Sequence, residues 1–450
     1  MNDVADLTDS ERQLVLDLCL RVGEVLLASG AGAADVTVTM DSVARHLGLR
    51  QHETDVTFTS LTMSHQVPQT DEDQPAHPPM VMIRRVKHRD IDYATLTEVD
   101  HLVGDILRDR ADVYLARSRM ATIVTRAGGT RRWLITLGWG VMCSGVAVML
   151  GGDWLVTLIA FLAAGSIDRL KLLMAKRRLP GFYQQVAGGG VATLLAVAAA
   201  ASGLEVDSSL VVTANIIMLL AGVGFMGALQ DALSGFYVTA GARMIEALLA
   251  TAGIIGGVSG GLAVGQMVGV NLGRLDPGAA ITWNSAAPVI VGAAVAAAGF
   301  AFASQAPPRS WLPVALVGGA AISVFSGVDA AGFGRPWAAG TAAFMVGLVG
   351  YSVAGRVRVP PLVVVVSAVV PMLPGLSIYR GLSLLADGPG SSSAGLLAMV
   401  TAASVAIALA SGVILGEYVA QPLKREAAKL EKRLAGPRLV GPFRARRPRG

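Results

Sequence analysis

From Trp133 to Tyr418 the chain is a succession of long apolar runs separated by short polar breaks, a pattern that few folds accept. A bilayer core about 30 Å thick takes roughly 20 apolar residues of helix, at about 1.5 Å of rise each. The runs are Trp133–Leu150, Trp154–Leu173, Phe182–Gly203, Leu210–Leu229, Met244–Leu272, Ala286–Phe302, Trp311–Val328, Trp337–Gly355, Leu362–Ile378 and Ala394–Tyr418, which predicts about ten transmembrane helices. In the second run only Trp154 to Ile167 is free of charge, so Asp168, Arg169 and Lys171 are expected at the interface. With 53% hydrophobic and 15% charged residues, the charges gathered toward the two ends, the chain reads as a membrane protein rather than a large soluble one.

The part before Arg132 is polar and holds all six histidines. Leu14, Leu18, Val22, Val25 and Leu26 recur at helical spacing up to Gly30, and a second helix runs from Asp35 to Gly48. Alternation about Val56 and Phe58, and again about Val81 and Ile83, predicts two strands joined by a loop from Val67 to Pro79; two further helices then lead to the membrane. This is a small α+β domain over residues 1–130. Its acidic, polar start lacks a basic segment leading into an apolar one, so no signal peptide is expected and the N-terminus is placed in the cytoplasm.

Lys and Arg enrich short cytoplasmic loops. With the N-terminus inside, Arg132, Arg169, Lys176, Arg178, Arg243, Arg309 and Arg358 are cytoplasmic, while the opposite loops hold mainly Asp153, Glu205, Asp207, Asp276, Asp329 and Asp387. Both termini are therefore expected inside a cell (inner) membrane. The tail 422–450 is dense in Arg and Lys; directly after a span it reads as an anchor on anionic lipid, with no nucleic acid as partner.

The membrane part resembles itself. LVVTANIIMLLAGVGFMGALQDALSG from Leu210 aligns without gaps on VVVVSAVVPMLPGLSIYRGLSLLADG from Val363, and DWLVTLIAFLAAGS from Asp153 resembles SWLPVALVGGAAIS from Ser310. Five helices are repeated, over 131–273 and 274–421. Because five is odd, the copies must cross in opposite senses, the inverted repeat typical of secondary transporters. The fold expected is mainly α: a polytopic membrane protein with two inverted five-helix repeats behind a cytoplasmic α+β domain.

GEVLLASGAGAADVTVTMDSVARHLGL, GALQDALSGFYVTAGARMIEALLATAGIIGGV and PPLVVVVSAVVPMLPGLSIYRGL resemble the threonine/serine exporter family, in particular its actinobacterial members with both halves fused. The likeness covers nearly the whole chain except the acidic loop near Asp71 and the basic tail. It implies a non-enzymatic secondary transporter that exports the small amino acids threonine and serine, driven by the proton gradient.

Ionisable groups at membrane depth usually face a cavity or a partner. Glu246, with Arg243 three residues earlier on the same helical face, is a candidate to relay protons or hold an amino group, and Arg243 to meet a carboxylate; a pair capping the helix near the cytoplasm is the alternative. Asp231 and Asn215 are further polar candidates, and Tyr379 and Arg380 follow Pro374 and Gly375. The segments Leu219–Gly224, containing Gly222, and Met372–Ser377 are expected to be kinked or unwound and to meet near the midplane, leaving peptide groups for a zwitterion. The histidines show no HxH, HxxxH or HExxH spacing, Cys19 and Cys143 no CxxC, and the chain no Walker A or GxSxG motif. No metal, cofactor or ATP is expected. A hydrolase using the N-terminal domain and a passive channel stay open as alternatives, as does a homo-oligomer.

Overall fold

The computed structural model describes residues 7–434 apart from 67–78, 87–90, 127–128, 130, 204–205, 220–221, 271–285 and 387–389. Helix α1 (Asp9–Ala28) begins with reciprocal capping: the Glu11 N–H donates to the Thr8 hydroxyl at 3.3 Å, and the Thr8 N–H donates to the Glu11 carboxylate at 2.9 Å. Two donors that a helix start leaves unpaired are thereby satisfied. Gly30, at φ +92°, ends α1 in the left-handed region that side chains disfavour. Helix α2 (Ala33–His46) follows, with Gly32 at its cap position and so no side chain to hold its first turn.

The strand expectation needs correction. The structure has three strands, β1 (His52–Thr57), β2 (Ser60–His65) and β3 (Met80–Arg85), in one antiparallel sheet of order β1-β2-β3, with Val56 opposite Leu61 and Met63 opposite Met82. The hairpin between β1 and β2 turns on Phe58 and Thr59, which lack the Gly and Asn of favoured two-residue turns, so the alternation runs through it as though it were one strand. The predicted loop falls mostly on 67–78, outside the described residues. Helices α3 (Tyr93–Ile106) and α4 (Val113–Arg126) complete the domain, whose core joins Leu16, Met40, Leu61, Met63, Leu102 and Met120.

The remaining helices are α5 (Arg132–Met149), α6 (Trp154–Lys176), α7 (Gly181–Ala201), α8 (Ser208–Leu219), α9 (Gly222–Leu233), α10 (Tyr237–Met267), α11 (Ala286–Ala303), α12 (Trp311–Ala330), α13 (Arg335–Val357), α14 (Pro361–Val369), α15 (Gly375–Ala386) and α16 (Ser392–Leu434). Among the described residues seven are long and apolar enough to cross a membrane, or nine spans if the bent pairs α8–α9 and α14–α15 each count as one. The chain is a mainly helical, multi-pass membrane protein. Helix α6 is what separates nine from the expected ten. At 23 residues it is long enough, about 34 Å, but it carries Asp168, Arg169 and Lys171. Asp168 does not reach an open interface: it is buried, with Arg132 Nη2 at 2.6 Å and the Thr136 hydroxyl donating to it at 2.7 Å.

The packing repeats itself. In the first half α5 meets α6, α6 meets α7 and α8, α7 meets α10, and α9 meets α10; in the second, α11 meets α12, α12 meets α13 and α14, α13 meets α16, and α15 meets α16. Glycines set the closest of these contacts. A Cβ on Gly257 of α10 would lie 2.0 Å from the Val186 carbonyl of α7, and one on Gly416 of α16 would lie 2.3 Å from the Phe344 carbonyl of α13. Small residues that let backbones touch are the usual means of helix association in lipid, where no hydrophobic force separates protein from solvent. Between the halves α5 and α11 cross reciprocally: a Cβ on Gly145 or on Gly292 would stand 2.4 Å from Ala296 N or Met149 N.

The N-terminal domain docks on one end of this bundle. The Tyr93 N–H donates to the Ser304 carbonyl at 2.9 Å, its ring meets Phe300 edge-on at 6.4 Å, and the Thr239 hydroxyl donates to the Val56 carbonyl at 3.3 Å.

These contacts predict that Gly257→Ala and Gly416→Ala each lower stability by about 1–3 kcal/mol, because the new methyl meets backbone that cannot swing away. Gly256→Ala and Gly260→Ala, where a Cβ would meet nothing within 4 Å, should leave the melting temperature in detergent unchanged or slightly raised.

Candidate transport site

Two helices break within the bundle. Pro361–Met372 and Gly375–Leu385 meet at 44°, and Ser208–Leu219 and Val223–Leu233 at 42°, the second break running through 220–221, outside the described residues. In the second half the sequence explains the bend. Pro371 and Pro374 have no N–H to return to the carbonyls of Ser367 and Val370. The Val370 carbonyl recovers the Leu373 N–H at 3.2 Å through a tight 3-10 turn over Val370–Met372, and α15 restarts at Gly375. Gly222 opens α9 at the matching place.

Beside each break stands a buried polar group with an unfilled site. Asn215 of α8 is fully buried; its amide donates to the Val211 carbonyl at 2.9 Å, and its Oδ1 has no hydrogen-bond partner among the described residues. The hydroxyl of Ser367 on α14 is likewise fully buried without a partner. Several hydroxyls on α12 and α16 instead turn back to the carbonyl four residues earlier, as Ser323, Ser404 and Ser411 do at 2.8, 2.8 and 2.7 Å, although those of Ser209 and Ser326 are also buried without a partner among the described residues. In the gapless alignment of the halves Ser367 falls opposite Ala214, next to Asn215. A buried group left unpaired costs about 1–3 kcal/mol, so both sites suit a ligand or water. Helices α8 and α15 touch: Tyr379 belongs to the buried apolar cluster of Val211, Ile216 and Leu219, while Ile378 belongs to the one that joins Phe225 of α9, Ala247 of α10 and Ala402 of α16. Pro374 and Gly375 are buried and Arg380 lies on the exposed side of α15.

A second feature lies where the N-terminal domain meets α9 and α10. Asp231 and Arg243, 1% and 6% exposed, form an ion pair at 2.9 Å. Asp231 Oδ1 accepts the Ala33 N–H at 2.7 Å, supplying from another domain the cap that Gly32 cannot give to α2. Arg243 Nη2 donates to the Ala31 carbonyl at 3.0 Å, and Gly227 leaves the room that its guanidinium fills. The carboxylate set against Arg243 is thus that of Asp231, whereas Glu246 lies on the exposed side of α10. Asp35, in the first turn of α2, keeps contact with solvent, yet the protein mass around it, and next the charge of Asp231, raise its carboxyl above the ordinary range. Glu417 of α16 lies within electrostatic reach of Asp35.

Reasoning from the sequence missed Asp35, Ser367 and the part played by Ala31 and Ala33. Pro371 was the available signal for Ser367. A helix start with glycine at its cap was the signal that α2 needs an outside acceptor. In the N-terminal domain the histidines hold structure: His52 Nε2 lies 3.1 Å from Asp41, His46 Nε2 3.0 Å from Asp109, and His65 bonds the Gln51 carbonyl. Burial first, then the charge of Asp41, pushes the Cys19 thiol up to about 12, which leaves it no thiolate near neutrality.

Broken helices and buried polar groups lie within a multi-pass membrane bundle that carries a small α+β domain, and comparison with known proteins gives the family. Residues 17–265 match the ThrE family profile, described as "Putative threonine/serine exporter", and residues 289–419 match the one described as "Threonine/Serine exporter, ThrE". The chain is 37% identical over 444 residues to a "Probable threonine/serine exporter" of Mycobacterium tuberculosis, covering 95% of this chain and 81% of the relative. It is 34% identical over 427 residues to a "Threonine/serine exporter" of Corynebacterium glutamicum, covering 93% and 85%. A "Probable succinate transporter subunit YjjP" of Escherichia coli is 23% identical over 242 residues, covering 54% of this chain and 91% of the relative. No solved structure matches. The chain belongs to the threonine/serine exporter family, with both of its halves in one polypeptide.

A raised carboxyl binds its proton more tightly in the docked protein than in the unfolded chain, so Asp35 lowers stability as pH climbs from below the ordinary carboxylate range through its raised value. Solvent contact keeps the effect small. Asp35→Asn should flatten that decline, read as melting temperature against pH, and melt above the wild type at neutral pH.

Proposed function

We propose that this protein exports threonine and serine from the cytoplasm, drawing on the proton gradient, along a path between two inverted five-helix halves. The observation that carries this reading is the pair of helix breaks at equivalent positions of the two halves, each beside a buried polar group with an unfilled hydrogen-bond site. Unpaired peptide groups survive at membrane depth only where protein, water or a ligand satisfies them. A zwitterion offers both donors and acceptors, and Asn215 Oδ1 would accept from its ammonium or its hydroxyl, with Ser367 completing the site.

The repeated packing supports residues 131–273 and 274–421 as the two halves, with α6 as the tenth span and its Asp168 neutralised by Arg132. The N-terminal domain sits against Arg243 and Arg358, residues the charge rule places inside: Arg243 Nη2 donates to the Ala31 carbonyl, and His101 Nε2 lies 3.2 Å from the Arg358 carbonyl, which also accepts from Arg309 Nη2 at 2.8 Å. This supports a cytoplasmic domain and an N-in, C-in topology. Full-length likeness at 34–37% to threonine/serine exporters outweighs partial likeness at 23% to a succinate transporter subunit, and so favours amino acids over a dicarboxylate. Glu246 is assigned to proton transfer.

Proteoliposomes should show counterflow of labelled threonine, inhibited by unlabelled threonine and serine and not by succinate. Gly375→Leu, which fills the break, should abolish it. Glu246→Gln should keep counterflow and lose export driven by an imposed pH gradient. Succinate competing as well as threonine would overturn the substrate assignment, and full transport by Gly375→Leu would overturn the path.

A further inference from the structure

The buried Asp231–Arg243 pair holds the N-terminal domain by a single peptide stretch. Asp231 takes the N–H of Ala33 and Arg243 gives to the carbonyl of Ala31. These two groups lie on either side of one α-carbon, that of Gly32, the acceptor on its N-terminal side and the donor on its C-terminal side; a free α-amino acid also carries a donor and an acceptor about its α-carbon and would lie here in the opposite chain sense. A carbon added at Gly32 would meet nothing closer than 3.5 Å, so the place has room for a small side chain. We infer that the Gly30–Ala33 loop occupies a cytoplasmic binding site for zwitterionic α-amino acids on Asp231 and Arg243, and that an arriving amino acid displaces it. This rests on reading the chain as an amino-acid exporter.

The exchange is favourable by the nature of the groups. A peptide N–H on a carboxylate and a peptide carbonyl on a guanidinium are each charged on one side only; an ammonium and a carboxylate in their places are charged on both, and such bonds are shorter and stronger. The pair itself does not lose its partners during the exchange, which matters because a buried charge left alone is costly. Asp231 sits near the end of α9 and Arg243 in the first turns of α10, and α9 is the second half of a broken helix, so the loop is tied to the helix that the break sets at an angle. The domain stays attached on its other side, where the Tyr93 N–H holds the Ser304 carbonyl and its ring meets Phe300. The loop is thus a plug tied at one end, which the cargo unties.

Ala33→Pro tests the tie without altering Asp231 or Arg243. Ala33 is the first residue of α2, where proline is tolerated, and Gly32 before it is already extended at ψ 149°, but proline has no N–H for Asp231. Ala33→Ser keeps that N–H and serves as control. Hydrogen–deuterium exchange of the amides of residues 31–36 is followed in full-length protein in proteoliposomes, with L-threonine, N-acetyl-L-threonine or L-threonine amide, alongside threonine counterflow on the same preparation.

In wild type and Ala33→Ser, saturating L-threonine should speed loop exchange by about tenfold, while the two blocked analogues should do nothing. Ala33→Pro should exchange fast without ligand and gain nothing from threonine. Loop protection unmoved by threonine in wild-type protein that still shows counterflow overturns the displaced plug and leaves the exporter standing. Equal action of the blocked analogues overturns the zwitterion site. An unmoved loop without counterflow overturns both readings, whereas a loop released by L-threonine without counterflow keeps the site and overturns export. Should Ala33→Pro also expose α1, the wild-type response to the three ligands decides alone.

Discussion

A peptide group in hydrocarbon has no water to turn to, and the architecture of this chain follows from where that demand is met and where it is not. Over most of the bundle each N–H is returned to a carbonyl of its own helix. Two interruptions depart from that rule, one of them forced by Pro371 and Pro374, which withdraw donors that the helix would otherwise supply. Both breaks adjoin a side chain, Asn215 or Ser367, whose own bonding is incomplete among the described residues. Other buried side-chain atoms also lack a partner among the described residues, Gln185 Oε1 and the hydroxyls of Ser209 and Ser326 among them, but Asn215 and Ser367 are the ones that adjoin a break.

The surrounding helices can carry such openings because their contacts are unusually close. Glycine on α10 and α16 brings these helices against the backbones of α7 and α13, and the reciprocal glycines of α5 and α11 join the halves. With little side-chain volume to compress, these contacts hold as rigid seams. The broken helices pack chiefly on the helices outside the central α5–α11 seam, so a change of angle at a break need not part it. The N-terminal domain is tied to α9 and α10 by the Ala31–Ala33 loop on a charged pair, and beside it by the Thr239 hydroxyl on Val56.

Particular residues mark where the sequence was readable and where it misled. The helix ends at Gly30 and Gly48 and the bend before Gly375 were legible because glycine caps and proline chemistry are local. The β1–β2 hairpin was not, because Phe58 and Thr59 carry no turn signature. Helix α6 showed its charges but not their remedy, the burial of Asp168 against Arg132. Glu246 was marked from its place in an apolar run and Arg243 from its spacing to Glu246, which drew attention from Asp231 on the preceding helix.

By itself the sequence determined that this chain crosses a membrane many times and that two of its helices break. Apolar length, charge at the ends and missing backbone donors act within a few residues and need no knowledge of neighbours. Tertiary structure alone decided which polar groups meet. Asp231 lies 198 residues from the Ala33 amide that it caps, and Arg243 lies 212 from the Ala31 carbonyl. No periodicity encodes a contact of that span, because it depends on how each helix is rotated about its axis. That rotation is fixed by the summed packing of all the helices around it, above all by the glycine seams.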